Sequence, residues 1–368
     1  MKMRIASLAL LAAAGTIPCA ASAGVFPTIP AGTFNPYFVT GKQQAAIPGK
    51  HTPGGGNLTQ WNGGFTDLTN KKITFTMVGT DPTSTNTSTT VTVLVIPIKF
   101  VYGSSNGNMT FDAKKAKVQN GTVVQSVEKS PLFQSGIDFN QGGTDLGNTQ
   151  YEDAFQRGTF WGNNISTNTG YHVLLKYKMQ KEVKITVSSS QGSVINNPFG
   201  NGKVGTMDIN AFDTQLQGFI KANKKINPSV LPLFVSYDIY LTSGGCCIGG
   251  YHDSDGSQPA GQTYSYATYV DTVGAFSQDV SALSHELGEW LDDPFVDNNV
   301  DCNDNSILEV GDPLEGLSNY GGFPYKLNGM TYNLQSLVFI GYFGAPKTWS
   351  ANSWYAFQND MSHVCPGQ

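Results

Sequence analysis

One segment constrains this chain more than any other: Ser284-His285-Glu286-Leu287-Gly288-Glu289, running on into Trp290-Leu291-Asp292-Asp293-Pro294. Val280, Leu283, Leu287 and Trp290 or Leu291 recur at helical spacing. Asp279, with Ser277 as the second choice, is the expected N-cap, and Pro294 bounds the other end. The pattern predicts an amphipathic helix whose apolar stripe seats in a core. On it His285 and Glu289 lie four residues apart, so they share a face one turn from each other. Glu286 lies about 100° further round.

Two donors at positions i and i+4 can grip one metal ion without distorting a helix. The pattern H-E-x-x-E is one residue from the H-E-x-x-H signature of zinc metallopeptidases, in which the first Glu is the general base. Glu in place of the second His keeps the geometry and changes the electronics. A carboxylate neutralises more of the ion's charge, weakens it as a Lewis acid and admits harder ions such as Mn²⁺ or Ca²⁺. The plain alternative is a solvated acidic helix face, extended by Asp292 and Asp293.

Glu309 follows Glu289 by 20 residues, and Asp312 lies three further on. In gluzincin-type metallopeptidases a Glu at similar spacing completes the metal site. By that analogy His285, Glu289 and Glu309 hold the metal, Glu286 is the catalytic base and Asp312 orients His285. The same segment also reads as a calcium loop. Asp301, Asn303, Asn305, Ile307, Glu309 and Asp312 fall at EF-hand positions, although Ser306 stands where such loops have Gly and Pro313 breaks a following helix. The glycine-dense segment 244–256 lets the backbone approach something closely. His252 within it is a candidate third ligand, substrate contact or oxyanion donor. Met330, in an Asn-Gly-Met turn, is read as a core methionine.

The chain resembles a family of exported proteins, mostly bacterial, that carry an H-E-L-x-E-x-x-x-[DN]-P core. The match is His285-Glu286-Leu287-Gly288-Glu289 through Pro294, supported by Gly250-Tyr251-His252, the E-x-G-D step from Glu309 to Asp312, and Trp354-Tyr355-Ala356-Phe357-Gln358. The plant EXORDIUM or phosphate-induced proteins are distantly similar through H-E-L-x-E. The likeness spans roughly residues 90–360 and implies a zincin-like fold. It says nothing of the substrate.

Other features place the chain. Lys2 and Arg4 precede an apolar run from Ile5 to Ile17, and Ala21-Ser22-Ala23 fits a cleavage site. Residues 1–23 are thus expected to be a signal peptide, and the protein secreted or periplasmic. Four cysteines remain beyond it: Cys246, Cys247, Cys302 and Cys365. In an exported protein they predict two disulfides, in one of three pairings. Bridges from the 246/247 pair to Cys302 and Cys365 are expected, since a vicinal bridge is strained; a cysteine zinc site lacks C-x-x-C spacing. A net charge of −5 with 13% charged residues leaves no basic patch for nucleic acid. No later run is long and apolar enough for a membrane anchor.

Residues 24–70, rich in Pro and Gly, are expected to form an extended arm before a zincin-like domain at 71–368. Strands are predicted at 72–78, 91–102, 171–187 (one or two), 231–241 and 263–271, with 80–90 as a long hairpin loop. Helices are predicted at 112–128, 149–161 and 208–222. The fold class is α+β, a zincin-like mixed sheet with an active-site helix. The strand at 263–271 is taken as the sheet edge, open to an extended peptide or protein substrate. The expected function is a metallopeptidase-like metallohydrolase with zinc or another divalent ion. The rival is a non-catalytic extracellular protein that binds calcium, wall polymer or a partner.

Overall fold

The computed structural model describes residues 56–119, 121–302 and 307–365. The expected signal peptide and most of the expected arm lie outside them. The architecture is mixed α+β, with a seven-stranded sheet at its centre. Its main path runs Val183–Val187, Ser88–Tyr102, Val230–Tyr237, Gln262–Tyr269, Gly250–Asp255. The first four are parallel neighbours; the last is antiparallel to Gln262–Tyr269. His172–Met179 and Thr110–Asp112 also pair with Ser88–Tyr102.

The long central strand explains the layering. Val91, Val93 and Val95 point into one core, and Leu94, Ile96, Ile98 and Phe100 into another. The two-residue period of a strand sends successive side chains to opposite faces, so both faces are covered. Helix Ile209–Ala222 covers one face through Phe212, Leu216 and Ile220, as its apolar spacing predicts. Its N-cap is Asp208, which accepts from Ala211 N at 2.9 Å. Helices Ser281–Asp292 and Tyr151–Thr159 cover the other through Leu283, Leu287, Trp290, Tyr151 and Phe155.

Several expectations change. Gln60–Thr66 is a strand, paired in a hairpin with Lys72–Val78, and buries Trp61 and Phe65. Lys72–Val78 therefore belongs to a separate sheet, and the expected hairpin loop at 80–90 is instead a connection into the central sheet whose last residues, from Ser88, already lie in the central strand. Only Val123–Lys129 of the 112–128 run is helical, opened by a capping box between Thr122 and Gln125. Asp112 turns the chain instead, its carboxylate taking the backbone N–H of Lys114 and Lys115, both at 3.1 Å. The 231–241 run breaks at Asp238, whose φ is 51°, into Val230–Tyr237 and Ile239–Thr242, which enter different sheets. Gln262–Tyr269 is not an edge: it pairs on both sides, and Gly250–Asp255 is the outer strand, with every residue buried. An extended substrate therefore cannot add to 263–271.

The disulfides are Cys246–Cys247 and Cys302–Cys365, not the crossed pairing expected. Cys246 and Cys247 sit in the short strand Cys246–Ile248 of the second, four-stranded sheet. Cys302 and Cys365 have Cα atoms 5.6 Å apart, ordinary bridging distance, so each cysteine is satisfied without the crossed bridges. Among the described residues no helix is long and apolar enough to cross a membrane.

Candidate metal centre

The signature segment forms helix Ser281–Asp292, and His285, Glu286 and Glu289 are all buried. The solvated acidic face is thereby excluded. The helix starts without a side-chain cap: Asp279, at φ 43°, turns away and accepts from Asn333 N and Nδ2 at 2.9 and 2.6 Å. That contact ties the helix start to strand Met330–Gln335. At the other end Asn298 clamps the helix to the N-terminal hairpin. Its Nδ2 donates to Asp292 O at 2.6 Å and Thr76 O at 2.8 Å, and its Oδ1 accepts from Thr76 N at 2.8 Å. Both ends of the helix are thus fixed by polar side chains.

Two histidines meet on this helix. His252 comes from the outer strand Gly250–Asp255, and its Nε2 lies 3.0 Å from Asp293 O. A carbonyl only accepts, so Nε2 carries the proton and Nδ1 keeps its lone pair. Nδ1 lies 3.6 Å from Glu286 Oε2 and 3.8 Å from Glu289 Oε2, and is buried without a hydrogen-bond partner. His285 is oriented from strand Met330–Gln335: its Nδ1 donates to Gln335 Oε1, while Gln335 Nε2 donates to Gly311 O at 3.2 Å. That arrangement fixes the amide's orientation. It directs His285 Nε2 at Glu289 Oε1, 3.0 Å away, and at Asp312 Oδ1, 3.5 Å away. Orientation of a ligand histidine through its second nitrogen is the usual support of a metal site.

Two glycines make the close packing feasible. A Cβ on Gly250 would lie 2.4 Å from Glu286 Oε1 and 2.8 Å from Tyr266 O. A Cβ on Gly311 would lie 2.3 Å from His285 Nδ1 and 2.9 Å from its Cγ. The strand and the loop therefore press flat on the two side chains because they carry no Cβ. Gly311 N also donates to Glu289 Oε1 at 3.1 Å.

Electrostatically the cluster is overloaded with acid. Burial pushes Glu286, Glu289 and Glu309 well above the ordinary carboxyl value, and their charges on one another and that of Asp312 add to it. Burial pushes His252 down to about 4. Burial acts the same way on His285, but the hydrogen bond with Asp312 and the charges of Glu286, Asp312 and Glu315 outweigh it, and it rises to about 9. Both oxygens of Glu286 are buried and accept no hydrogen bond, and buried Glu309 shares a hydrogen bond with the Glu289 carboxyl. Such orphaned acceptors are costly unless a proton or cation meets them.

All six residues expected at the site converge, but their grouping differs from the gluzincin analogy. Among the described residues, ligand atoms within 4.8 Å of one another form three sets: His252, Glu289 and Glu309; His285, Glu286 and Glu289; and His285, Asp312 and Glu315. Glu309 thus stands with His252 rather than His285. Asp312 meets the same nitrogen of His285 that faces Glu289, and Gln335 takes the orienting place on the other. Glu315 and Gln335 were not foreseen. Glu315, three residues past Asp312, carried a spacing signal; Gln335, a lone amide 50 residues away, carried none. Of the calcium-loop residues, Asp301 pairs with Lys71 Nζ at 2.7 Å near the surface, whereas Glu309 is buried. Asn303, Asn305 and Ser306 lie outside the described residues. No family model, curated protein or solved structure matches the chain.

Proposed function

We propose that this is an exported, zincin-like hydrolase dependent on a divalent metal such as zinc, acting on peptide bonds. The observation that carries the reading is Glu286: a fully buried carboxyl with two orphaned oxygens, beside the open lone pair of His252 and within the ligand set of His285 and Glu289. The donors fit a divalent ion, since they are imidazoles each held through the second ring nitrogen and carboxylates in excess of local positive charge. When bound, the ion supplies a positive charge that polarises a carbonyl and acidifies water. His252, His285, Glu289, Glu309 and Asp312 are the residues that would hold it. Glu286 accepts the proton of the attacking water and returns it to the leaving amine, and Gly250 admits it to that position. The side nearest solvent is that of Asp312, whose side chain is 20% exposed, and of half-buried Glu315. Substrate would approach there rather than along 263–271. Zincin-like kinship with the H-E-L-x-E exported proteins is part of the same proposal.

A second reading is favoured by the burial of His252, His285, Glu286 and Glu289: a closed, structural metal site in a non-catalytic extracellular protein, since structural sites are closed and catalytic ones keep an open position. Glu286→Gln decides between them. Under the hydrolase reading it retains metal and loses cleavage of a mixed peptide library. Metal-loaded wild type that cleaves nothing would overturn catalysis and leave the structural site.

A further inference from the structure

The two histidines fall in different ligand sets, and Glu289 is the residue that the two sets share. Its carboxylate is spread between them: Oε1 lies 3.0 Å from His285 Nε2, and Oε2 lies 3.8 Å from His252 Nδ1. Each histidine is held through its other nitrogen by a separate part of the chain. Asp293 O holds His252 at 3.0 Å, and Gln335 holds His285. Each has its own second carboxylate, Glu309 beside His252 and Asp312 beside His285. A site built for one ion needs one converging set. Here each histidine shares a separate set with Glu289, and a third set joins His285 to Asp312 and Glu315.

We propose that this centre holds two divalent cations bridged by Glu289, one bound by His252 and Glu309 and the other by His285 and Asp312. The proposal rests on the metal-site reading above and specifies its stoichiometry. The independent sign of a ligand on the His252 side is His252 Nδ1 itself, fully buried, unpartnered and aimed into the cluster, beside the buried carboxyl of Glu309, which hydrogen-bonds Glu289. Imidazole with carboxylate suits Zn²⁺ or Mn²⁺, and a carboxylate bridge suits the separation of roughly 3.5–4 Å found in two-metal hydrolytic sites. Glu286 then stands between the two sets, near His252 Nδ1 and in the His285 set, where a water placed between the ions would meet it.

The test is a titration of the metal-free protein with Zn²⁺ alone, with bound metal counted by elemental analysis after desalting. The same protein loaded with Mn²⁺ is examined by electron paramagnetic resonance. The expected result is two equivalents of zinc per chain and a spin-coupled manganese pair. His252→Ala should keep one equivalent and convert the coupled signal to that of an isolated ion, and His285→Ala should do the same from the other side. One equivalent in the wild type would overturn the two-ion centre while leaving a metal site standing. None would overturn both. Two equivalents retained in His252→Ala would overturn the assignment of ligands. The wild-type count decides stoichiometry even where a variant fails to fold.

Discussion

Gly311→Ala tests the packing on which the centre depends. The new Cβ would lie 2.3 Å from His285 Nδ1, 2.6 Å from Cε1 and 2.9 Å from Cγ. Ordinary non-bonded separation is about 3.5 Å, so loop and ring must part by roughly 1 Å. His285 cannot swing freely, because Gln335 holds its Nδ1 and Glu289 lies at 3.0 Å from its Nε2. Overpacking of this kind costs about 1–3 kcal/mol, which at roughly 1–2 °C per kcal/mol for a chain of this length is a measurable fall in Tm. The shift also loosens the bond between Gln335 and His285 and the 3.1 Å bond from Gly311 N to Glu289. Loss of such supporting contacts weakens metal affinity by about 10–100-fold. Competition of the apo protein against a chromogenic zinc chelator measures the affinity, and thermal melts with and without zinc measure the stability. Gly250→Ala is the internal control, since its Cβ strikes Glu286 and not a histidine. A Gly311→Ala protein that binds zinc as wild type does would refute His285 as a ligand held by that loop.

Three further outcomes are expected. Gln335→Leu should lower zinc affinity by about 10–100-fold with little change in fold, read by the same competition assay, because His285 loses the acceptor that fixes its tautomer. Opening Cys302–Cys365 by Cys365→Ser should destabilise the chain by about 4 kcal/mol in the chain-entropy account, since the bridge spans 63 residues, whereas Cys246→Ser closes no loop and should cost far less in urea denaturation. Burial raises Asp292 to about 8, against an ordinary 3.8 and despite its bond with Gln156. The folded chain therefore holds this proton more tightly than the unfolded one. Its contribution is complete below about pH 4 and is lost as pH rises toward 8, so Asp292→Asn should flatten that slope in melts of metal-free protein.

The helix carrying His285 and Glu289 was legible because its information is local: four residues of spacing fix a shared face, although the apolar stripe did not mark a single buried side, since every residue from Ala282 to Asp292 is buried. The strand at Lys72–Val78 and the helix at Ile209–Ala222 were legible for the same reason. What failed depends on partners distant in sequence. Whether Gln262–Tyr269 is an edge depends on where Gly250–Asp255 lands, and the alternation Thr263-Tyr264-Ser265-Tyr266 does not tell, because its polar and aromatic positions are both buried. The disulfide pairing depends on which loops meet, and spacing does not encode that. Asp279 looked like an N-cap because Asp suits one, but Asn333 in a strand 54 residues later takes its carboxylate. Gln335 was invisible because an amide in a strand has no motif; only the fold puts it against an imidazole.

The centre's hydrogen bonds bear on what it binds. Asp293 O, the Gln335 amide and Gly311 N each orient a histidine or carboxylate of the cluster, and none brings a formal positive charge. Burying an ion still costs several kcal/mol after relaxation, so a fold that places Glu286, Glu289 and Glu309 together without solvent must meet them with protons or with cations. Protons can meet these oxygens, and a protonated carboxyl can donate to the inward lone pair of His252 Nδ1. A divalent cation in the proposed centre would meet the same oxygens and the same lone pair, where Gly250 and Gly311 let strand and loop close on Glu286 and His285. Metal and protons then compete for the same oxygens, so loading should release protons and the stability supplied by the ion should grow as pH rises. Glu289 in this account is required by geometry: a histidine at that position offers one outward nitrogen, and only a carboxylate reaches toward His252 and His285 at once.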